Sequence, residues 1–189
     1  MDGEVIPGRE CGACNVCCVA LTIDDPELQK VQGYRCKNAL PDNSCGIYPT
    51  RPGTCRGFNC GWKLLKWVKP TLRPDRSGVL VRLHHDGAEE FGIIVTLLNR
   101  GALKAEGLAE TVAAAVAAGL PVYLHIPGPP GYTSAQARID GALADAVATR
   151  DKAAVLDILR QARKQGRGRA GKYVPIRLKH GRAVVPPGS

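Results

Sequence analysis

Eight cysteines within the first 60 residues are the side chains best suited to chemistry in this 189-residue chain. Four of them fall in the short stretch ECGACNVCC, and no cysteine occurs after residue 60. Thiolate sulfur binds thiophilic ions such as zinc and the iron of iron–sulfur clusters. We therefore predict a metal-binding role for all eight: Cys11, Cys14, Cys17, Cys18, Cys36, Cys45, Cys55 and Cys60.

The spacing of the first four cysteines favours metal over isolated thiols. Cys11 and Cys14, and again Cys14 and Cys17, are separated by two residues, a spacing that lets both sulfurs reach one ion. Cys17 and Cys18 are adjacent, so one of them is expected to serve a second site or to lie outside the first. The eight thiolates can fill two four-sulfur sites, or one site with additional positions, and the sequence leaves this open.

The identity of the metal also stays open between zinc and iron. Four-sulfur ligation by remote cysteine pairs is typical of structural zinc. The run from Cys11 through Cys14 to Cys17 equally matches the three-ligand run of a bacterial ferredoxin cluster. In ferredoxins the next cysteine comes three residues later and precedes proline, whereas here Cys18 follows at once. The predicted cofactor is zinc or iron, the iron alone or in an iron–sulfur cluster, in one or two centres.

Two other interpretations compete with metal binding. An even number of cysteines in a small, loop-rich segment fits a disulfide framework, and free cysteine can pack as a small hydrophobic residue. The first residues, MDGEVIPGRE, lack the apolar region of a secretory signal. We therefore expect a cytoplasmic protein, in which thiols stay reduced. Eight cysteines also exceed what core packing requires.

Two arginines are predicted to sit beside the thiolates. A four-thiolate metal site carries net negative charge and gains from positive neighbours and hydrogen-bond donors. Arg56 directly follows Cys55, and Arg51 lies four residues before it. Arg35 and Lys37 flank Cys36 in the same way.

The cysteine pattern resembles the YkgJ-like cysteine-cluster family. The stretches CGACNVCC (11–18) and CGIYPTRPGTCRGFNC (45–60), with Cys36 between them, follow that family's CxxCxxCC run and its C-x-IY-x-x-RP-x-x-CR-x-F motif. The resemblance covers residues 8–62, with a weaker similarity at 72–81. It implies zinc or iron chelation without an assigned reaction. Distant members include flagellin lysine N-methylases, whose activity does not carry over, because this chain is shorter and shows no pocket for their cofactor.

Within that motif three side chains are expected to cover the metal site rather than to bind it. Ile47, Tyr48 and Phe58 are large and apolar or aromatic, and they stand between or beside the motif cysteines. Packed over the sulfurs, they would keep water away from the centre.

The cysteine-rich module, residues 1–70, is expected to be irregular. We predict a strand at 19–23, a helix at 24–33 that begins near Asp25 and Pro26, turns from 34 to 60, and a helix at 61–70. Its low apolar content indicates that bound metal is needed for it to fold.

The next region, residues 71–165, is predicted to be a small α+β unit packed with the first. Strand-like stretches at 78–85 and 91–99 are joined by a hairpin at 86–90, and a third strand covers 121–126. Three helices are expected, at 101–119, at 134–148 after a Ser134 cap, and at 151–165 after an Asp151 cap. The fold class is thus α+β, an irregular metal-centred module packed on a short sheet with helices.

Residues 166–189 are predicted to form a basic tail. The net charge of +9 matches the nine lysines and arginines of residues 158–189, which contain no acid. Nonspecific nucleic acid or an acidic protein is a possible partner of these residues. No membrane-spanning stretch is expected.

The sequence therefore predicts a cytoplasmic metal-binding protein with no assignable reaction. It favours a binding role over an enzymatic one. One alternative is an iron–sulfur enzyme for redox chemistry or methyl transfer. A second is an adaptor that binds nucleic acid or an acidic partner through the tail. The sequence does not indicate an oligomeric state.

Overall fold

Short elements make up the cysteine-rich region. The computed structural model describes residues 4–85, 91–168 and 173–179. Single 3-10 turns lie at Tyr48–Thr50 and Pro70–Leu72. The helices and strands of this part are α1 (Val16–Ala20), β1 (Ile23–Asp25), β2 (Leu28–Lys30), α2 (Gly53–Gly57), α3 (Gly61–Leu64) and α4 (Pro74–Ser77).

The segment predicted as a helix at 24–33 is instead a β-hairpin, so that prediction is wrong. Strands β1 and β2 pair antiparallel, with Asp25 opposite Leu28. The Asp25 carboxylate accepts a hydrogen bond from the Glu27 N–H at 2.9 Å, which closes the turn. Proline after aspartate favours a tight turn as well as a helix start. Leu28 and Lys30 both have buried side chains on one face of the strand, the two-residue period of β-structure.

Two further predictions for this region are wrong in their bounds. Val19 and Ala20 belong to α1, so the strand predicted at 19–23 starts only at Ile23. The helix predicted at 61–70 ends at Leu64, where the Leu65 N–H bonds to the Gly61 carbonyl at 2.8 Å. The predicted turns between 34 and 60 are confirmed, apart from the short 3-10 turn and α2.

A four-stranded sheet forms the centre of the second region. Its strands are β3 (Val79–His85), β4 (Phe91–Leu97), β5 (Val122–Ile126) and β6 (Ala135–Arg138), in the order β3-β4-β5-β6. β3 pairs antiparallel with β4, β4 parallel with β5, and β5 antiparallel with β6. The first three strands confirm the predicted ones, and the α+β class is confirmed. The hairpin predicted at 86–90 lies outside the described residues.

Three helices pack on the sheet, one between β4 and β5 in the chain and two after β6. They are α5 (Leu108–Ala117), α6 (Asp140–Ala148) and α7 (Lys152–Gly168), and a 3-10 turn at Gly101–Lys104 precedes α5. The predicted Ser134 cap is wrong, because the residues after it form β6 and the helix starts only at Asp140. The predicted Asp151 cap is confirmed: its carboxylate accepts the Ala154 N–H at 2.9 Å.

Apolar side chains from one sheet face and from the helices form the main core. Val81, Val95 and Leu124 stand opposite one another across three strands, and each is at most 2% exposed. Helices α5, α6 and α7 cover that face with Val112, Leu143, Leu159 and similar side chains. Among the described helices, none combines the length and apolarity needed to cross a membrane.

The two regions are in direct contact at several points. α3 lies so close to β3 that a Cβ at Gly61 would be 2.7 Å from a Val81 methyl carbon. Gly33 lies against Pro130, in the loop after β5. From the same side, the Ser134 hydroxyl donates to the Gln32 side-chain oxygen at 2.7 Å.

The described end of the chain, residues 173–179, returns toward both regions. Ile176 N–H donates to the Gly131 carbonyl at 2.8 Å, and Lys179 N–H donates to the Asp24 carboxylate at 2.6 Å. Residues 166–168 extend α7 rather than open the predicted tail, because Gly166 fits closely over Ile126 of β5.

Candidate metal centre

One cavity gathers nearly all of the cysteines. It has a volume of about 280 Å³ and lies within the cysteine-rich region. Seven of the eight predicted ligands line it: Cys11, Cys14, Cys17, Cys18, Cys36, Cys45 and Cys55. Cys60 is not among the lining residues and packs instead, half-buried, against the main core.

The thiols surround the cavity without closing on a point. All eight cysteines are free thiols. Across the described ranges, no three Cys, His, Asp or Glu side chains are arranged so that they could hold a metal ion as they stand. The donor chemistry therefore suits a thiophilic metal, while coordination would require the sulfurs to turn inward about their single side-chain torsion.

Cys17 and Cys18 lie side by side in α1. The Cys17 thiol hydrogen-bonds to the Cys18 sulfur, which raises the pKa of Cys17, and burial and the nearby Cys11 and Cys14 thiols raise it further. The same hydrogen bond lowers the pKa of Cys18 to about 6, with additional stabilisation of its thiolate by the positive charge of Lys30. The hydrogen bond thus favours the thiolate at Cys18 over the thiolate at Cys17.

Backbone hydrogen bonds hold Cys36 and Cys45 next to Cys18. The Cys36 N–H donates to the Cys18 carbonyl at 2.9 Å. The Cys36 carbonyl in turn accepts the Ala39 N–H at 3.0 Å, and Ala39 forms a β-bridge with Cys45. A continuous chain of contacts therefore joins the three cysteines, although up to 27 residues of sequence separate them.

Cys55 approaches the same group from α2. Its N–H donates to the Pro52 carbonyl at 2.9 Å in the first turn of the helix. Burial raises the pKa of the Cys55 thiol, and the neighbouring Cys18, Cys36 and Cys45 thiols add to this. Four cysteines from four separate segments thus line the same cavity, without converging on one point.

Cys11 and Cys14 form a tight turn at the other side. The Cys14 N–H donates to the Cys11 carbonyl at 2.8 Å. The same carbonyl accepts a hydrogen bond from Arg73 Nη2 at 2.8 Å. Arg73 also lies over the Trp62 ring, 5.8 Å from its centroid, and Trp62 follows Cys60 by two residues. Burial raises the pKa of the Cys60 thiol, with a further contribution from Cys11.

Lys30 is a functional candidate that the sequence analysis missed. Its side chain is buried, and its ammonium donates to the Val19 carbonyl at 3.2 Å and to the Leu21 carbonyl. Burial lowers the pKa of Lys30, and the thiols of Cys36 and Cys18 oppose that shift. Lys30 faces inward because residues 28–30 form a strand. The sequence analysis predicted a helix here and therefore did not identify Lys30 as an inward-facing residue.

The two predicted arginines have different positions. Arg51 lines the cavity, its guanidinium lies 3.9 Å from the Tyr48 ring centroid, and its buried Nε has no hydrogen-bond partner. Arg56 donates to the Arg51 carbonyl at 2.7 Å in an exposed position, and the cavity lining does not include it. Arg51 therefore acts on the thiols directly, as its part in lowering the pKa of Cys18 indicates.

The side chains expected to cover the site do line the cavity. Ile47, Tyr48 and Phe58 stand around it with Leu21, Ile23 and Leu28. The wall thus combines thiols with apolar groups, an environment that strengthens electrostatic interactions with a bound ion.

Comparison with protein-family models, with curated proteins and with solved structures gave no significant match. The resemblance to the cysteine-cluster family stays a prediction from the motif.

Proposed function

We propose that this chain is a thiol-based metal-binding protein that takes up zinc or iron. The observation that carries the proposal is the convergence of seven free cysteines, from four separate stretches of sequence, on one cavity of about 280 Å³. Free thiols that are merely buried have no reason to gather from such distant positions. Four-sulfur coordination does require that gathering.

The charges around the cavity support the same conclusion. A centre with four thiolates is net negative, and Lys30, Arg35 and Arg51 all favour the thiolate of Cys18. Arg51 has a buried Nε without a partner, and a thiolate turned inward would offer it an acceptor. We place the protein in the cytoplasm, because a reducing compartment keeps these thiols available.

The first test is the metal content of full-length protein purified without exposure to air. We expect zinc or iron bound in a stoichiometric amount, with a colourless protein indicating zinc. Brown colour with broad absorption and acid-labile sulfide indicates an iron–sulfur cluster. A Thr54→Ala variant is the matched control, since it alters the cavity wall without removing sulfur. Protein that binds neither metal after anaerobic reconstitution contradicts the proposal.

An iron–sulfur protein with redox or methyl-transfer activity is the second candidate. The spacing of Cys11, Cys14 and Cys17 favours it, because it matches a ferredoxin run. A reversible one-electron reduction of the bound centre, followed by electron paramagnetic resonance, supports this candidate. A bound centre that reductant does not reduce, with no paramagnetic signal, supports the simple chelating role instead.

Adaptor function through the basic end of the chain is the remaining alternative, and it can be tested separately. Phosphate contacts predict binding of DNA or RNA that weakens steeply with salt. A chain ending at residue 168, which keeps the whole of α7 and lacks five of the nine basic residues of 158–189, should bind more weakly and retain its metal.

A further inference from the structure

The eight cysteines divide into two groups of four within the structure. This division rests on the proposed metal-binding function and adds to it a number of centres and a ligand set for each. We propose that two separate four-thiolate centres are present: Cys11, Cys14, Cys17 and Cys60 hold one, and Cys18, Cys36, Cys45 and Cys55 hold the other.

The boundary between the groups runs between two adjacent residues of α1. Successive side chains in an α-helix are about 100° apart around its axis. The sulfurs of Cys17 and Cys18 therefore leave the helix in different directions, although they are close enough to share a hydrogen bond. An adjacent pair of this kind can supply one corner to each of two sites.

The second group is assembled by backbone contacts. Hydrogen bonds and a β-bridge join Cys18, through Cys36 and Ala39, to Cys45. The fourth member, Cys55, lies near all three of these thiols, each of which helps to raise its pKa. All four line the cavity.

The first group is assembled around Arg73. This arginine donates to the Cys11 carbonyl and lies over the Trp62 ring, which brings the turn at Cys11 and Cys14 toward the start of α3. Cys60 directly precedes α3. The nearby Cys11 thiol contributes to raising the pKa of Cys60. Cys60 is thus separated from the cavity that the other seven line but remains close to the partner it needs.

The two groups also differ in their surroundings. Positive charge from Lys30, Arg35 and Arg51 surrounds the second group, while the carboxylate of Asp75 lies near Cys14 of the first. The first group has the ferredoxin-like spacing, and the second has its cysteines spread over 38 residues. Both sets offer the same four-thiolate chemistry, which zinc and iron–sulfur clusters share.

A cobalt titration of the full chain tests the number of centres. Co²⁺ in a tetrahedral thiolate site gives intense visible and charge-transfer bands, so anaerobic metal-free protein reports each filled site. We expect the bands to grow to two equivalents of Co²⁺ per chain and then stop. Saturation at one equivalent overturns the proposal while leaving the proposed metal-binding function intact. No thiolate bands at all would instead contradict the proposed function itself.

Paired variants test which cysteines belong together. We expect Cys14→Ser with Cys60→Ser, and separately Cys36→Ser with Cys45→Ser, each to bind half of the Co²⁺ bound by the wild type. The mixed pair, Cys60→Ser with Cys45→Ser, should lose both intact four-sulfur spectra. A within-group pair that abolishes all binding, or a mixed pair that retains one complete site, overturns the assignment. Where a double variant is insoluble, Cys60→Ser and Cys45→Ser alone, each expected to perturb one site of two, decide the same question.

Discussion

The cysteine-rich region and the sheet with its helices differ in how much apolar side chain they bury. In the part of the cysteine-rich region that contains the cysteines, residues 4–60, the buried hydrophobic side chains are Leu28, Val31 and Cys36, whereas Trp62, Val68 and Leu72 after it join the main core. The sheet and helices of residues 79–159 bury most of the remainder, including a continuous core across three strands. Helices α1 and α2 have five residues each, whereas α7 has 17.

This difference indicates two sources of stability in one chain. Burial of apolar surface stabilises the sheet region in the usual way. The cysteine-rich region has too little such surface and relies on hydrogen-bonded turns, on contacts with its neighbour and, we propose, on metal–thiolate bonds. Substitutions in the two regions should therefore change the free energy of unfolding by different amounts, and only those in the cysteine-rich region should depend on bound metal.

The largest expected effect is that of truncating the sheet core. Leu124 is 2% exposed in the middle of β5, and Leu124→Ala should lower the free energy of unfolding by about 2–5 kcal/mol. Leu40, which is 44% exposed in the cysteine-rich region, is the matched control, and Leu40→Ala should change it by less than about 0.5 kcal/mol. Urea unfolding measures both. Equal losses would show that the two regions do not differ as described.

Acid should destabilise the sheet region through His125. Burial, assisted by the positive charge of Arg82, lowers the pKa of His125 from 6.5 to about 4, and its Nδ1 lies 3.3 Å from Thr96 Oγ1. As the pH falls, the unfolded chain takes up the proton before the folded chain does. The stability that neutral His125 contributes is therefore complete above pH 6.5 and is lost as the pH falls toward 4. The loss should reach about 3 kcal/mol, at 1.36 kcal/mol per pKa unit.

Urea unfolding at pH 7 and pH 4 checks this prediction. His125→Gln should remove that part of the acid destabilisation, whereas His85→Gln, in an exposed position of β3, should leave it. A wild-type difference that His125→Gln does not reduce contradicts the assignment.

Arg9 should anchor the start of the cysteine-rich region to the segment that contains α3. It is 8% exposed and donates to the Trp62 carbonyl at 2.7 Å and to the Leu65 carbonyl at 3.2 Å. Arg9→Met keeps the length of the side chain and removes both bonds, which should lower the free energy of unfolding by about 2 kcal/mol. The exposed neighbour provides the control, Glu10→Gln. An Arg9→Met variant as stable as that control would show that Arg9 does not anchor the region.

The smallest effect concerns the contact between Gly33 and Pro130. Gly33 and Gly8 have nearly the same positive φ, +82° and +79°, so alanine strains both alike. A Cβ at Gly33 would lie 2.6 Å from the Pro130 Cα, while one at Gly8 meets nothing within 4 Å. Gly33→Ala should therefore cost about 1 kcal/mol more than Gly8→Ala in thermal unfolding. Equal costs would mean that the regions separate there without penalty.

The sheet was the more predictable region. Runs such as GVLVRL and FGIIVTLL have the β-branched, apolar composition of buried strands, and β3, β4 and β5 follow them closely. β6 was missed because its four residues, AQAR, are mostly exposed and form a strand only by pairing with β5. Tertiary pairing, which a local pattern does not carry, decided that element.

In the candidate site, the gathering of thiols followed from composition and spacing, but their environment did not. Asp25 and Pro26 fit a helix start as well as they fit the turn that the structure contains, and the wrong choice concealed the inward position of Lys30. Asp75 lies near Cys14 across 61 residues of sequence. Arg56 shows that adjacency to a cysteine in sequence does not place a charge at the cavity.

Hydrogen–deuterium exchange of full-length, anaerobically purified protein, before and after metal removal by a chelator, tests the central claim most directly. The account predicts that the amides of Cys36, Cys45 and Cys55 lose protection when the metal is removed, while those of β3, β4 and β5 keep theirs. Unchanged protection of these cysteine amides in protein shown to be metal-free would contradict it.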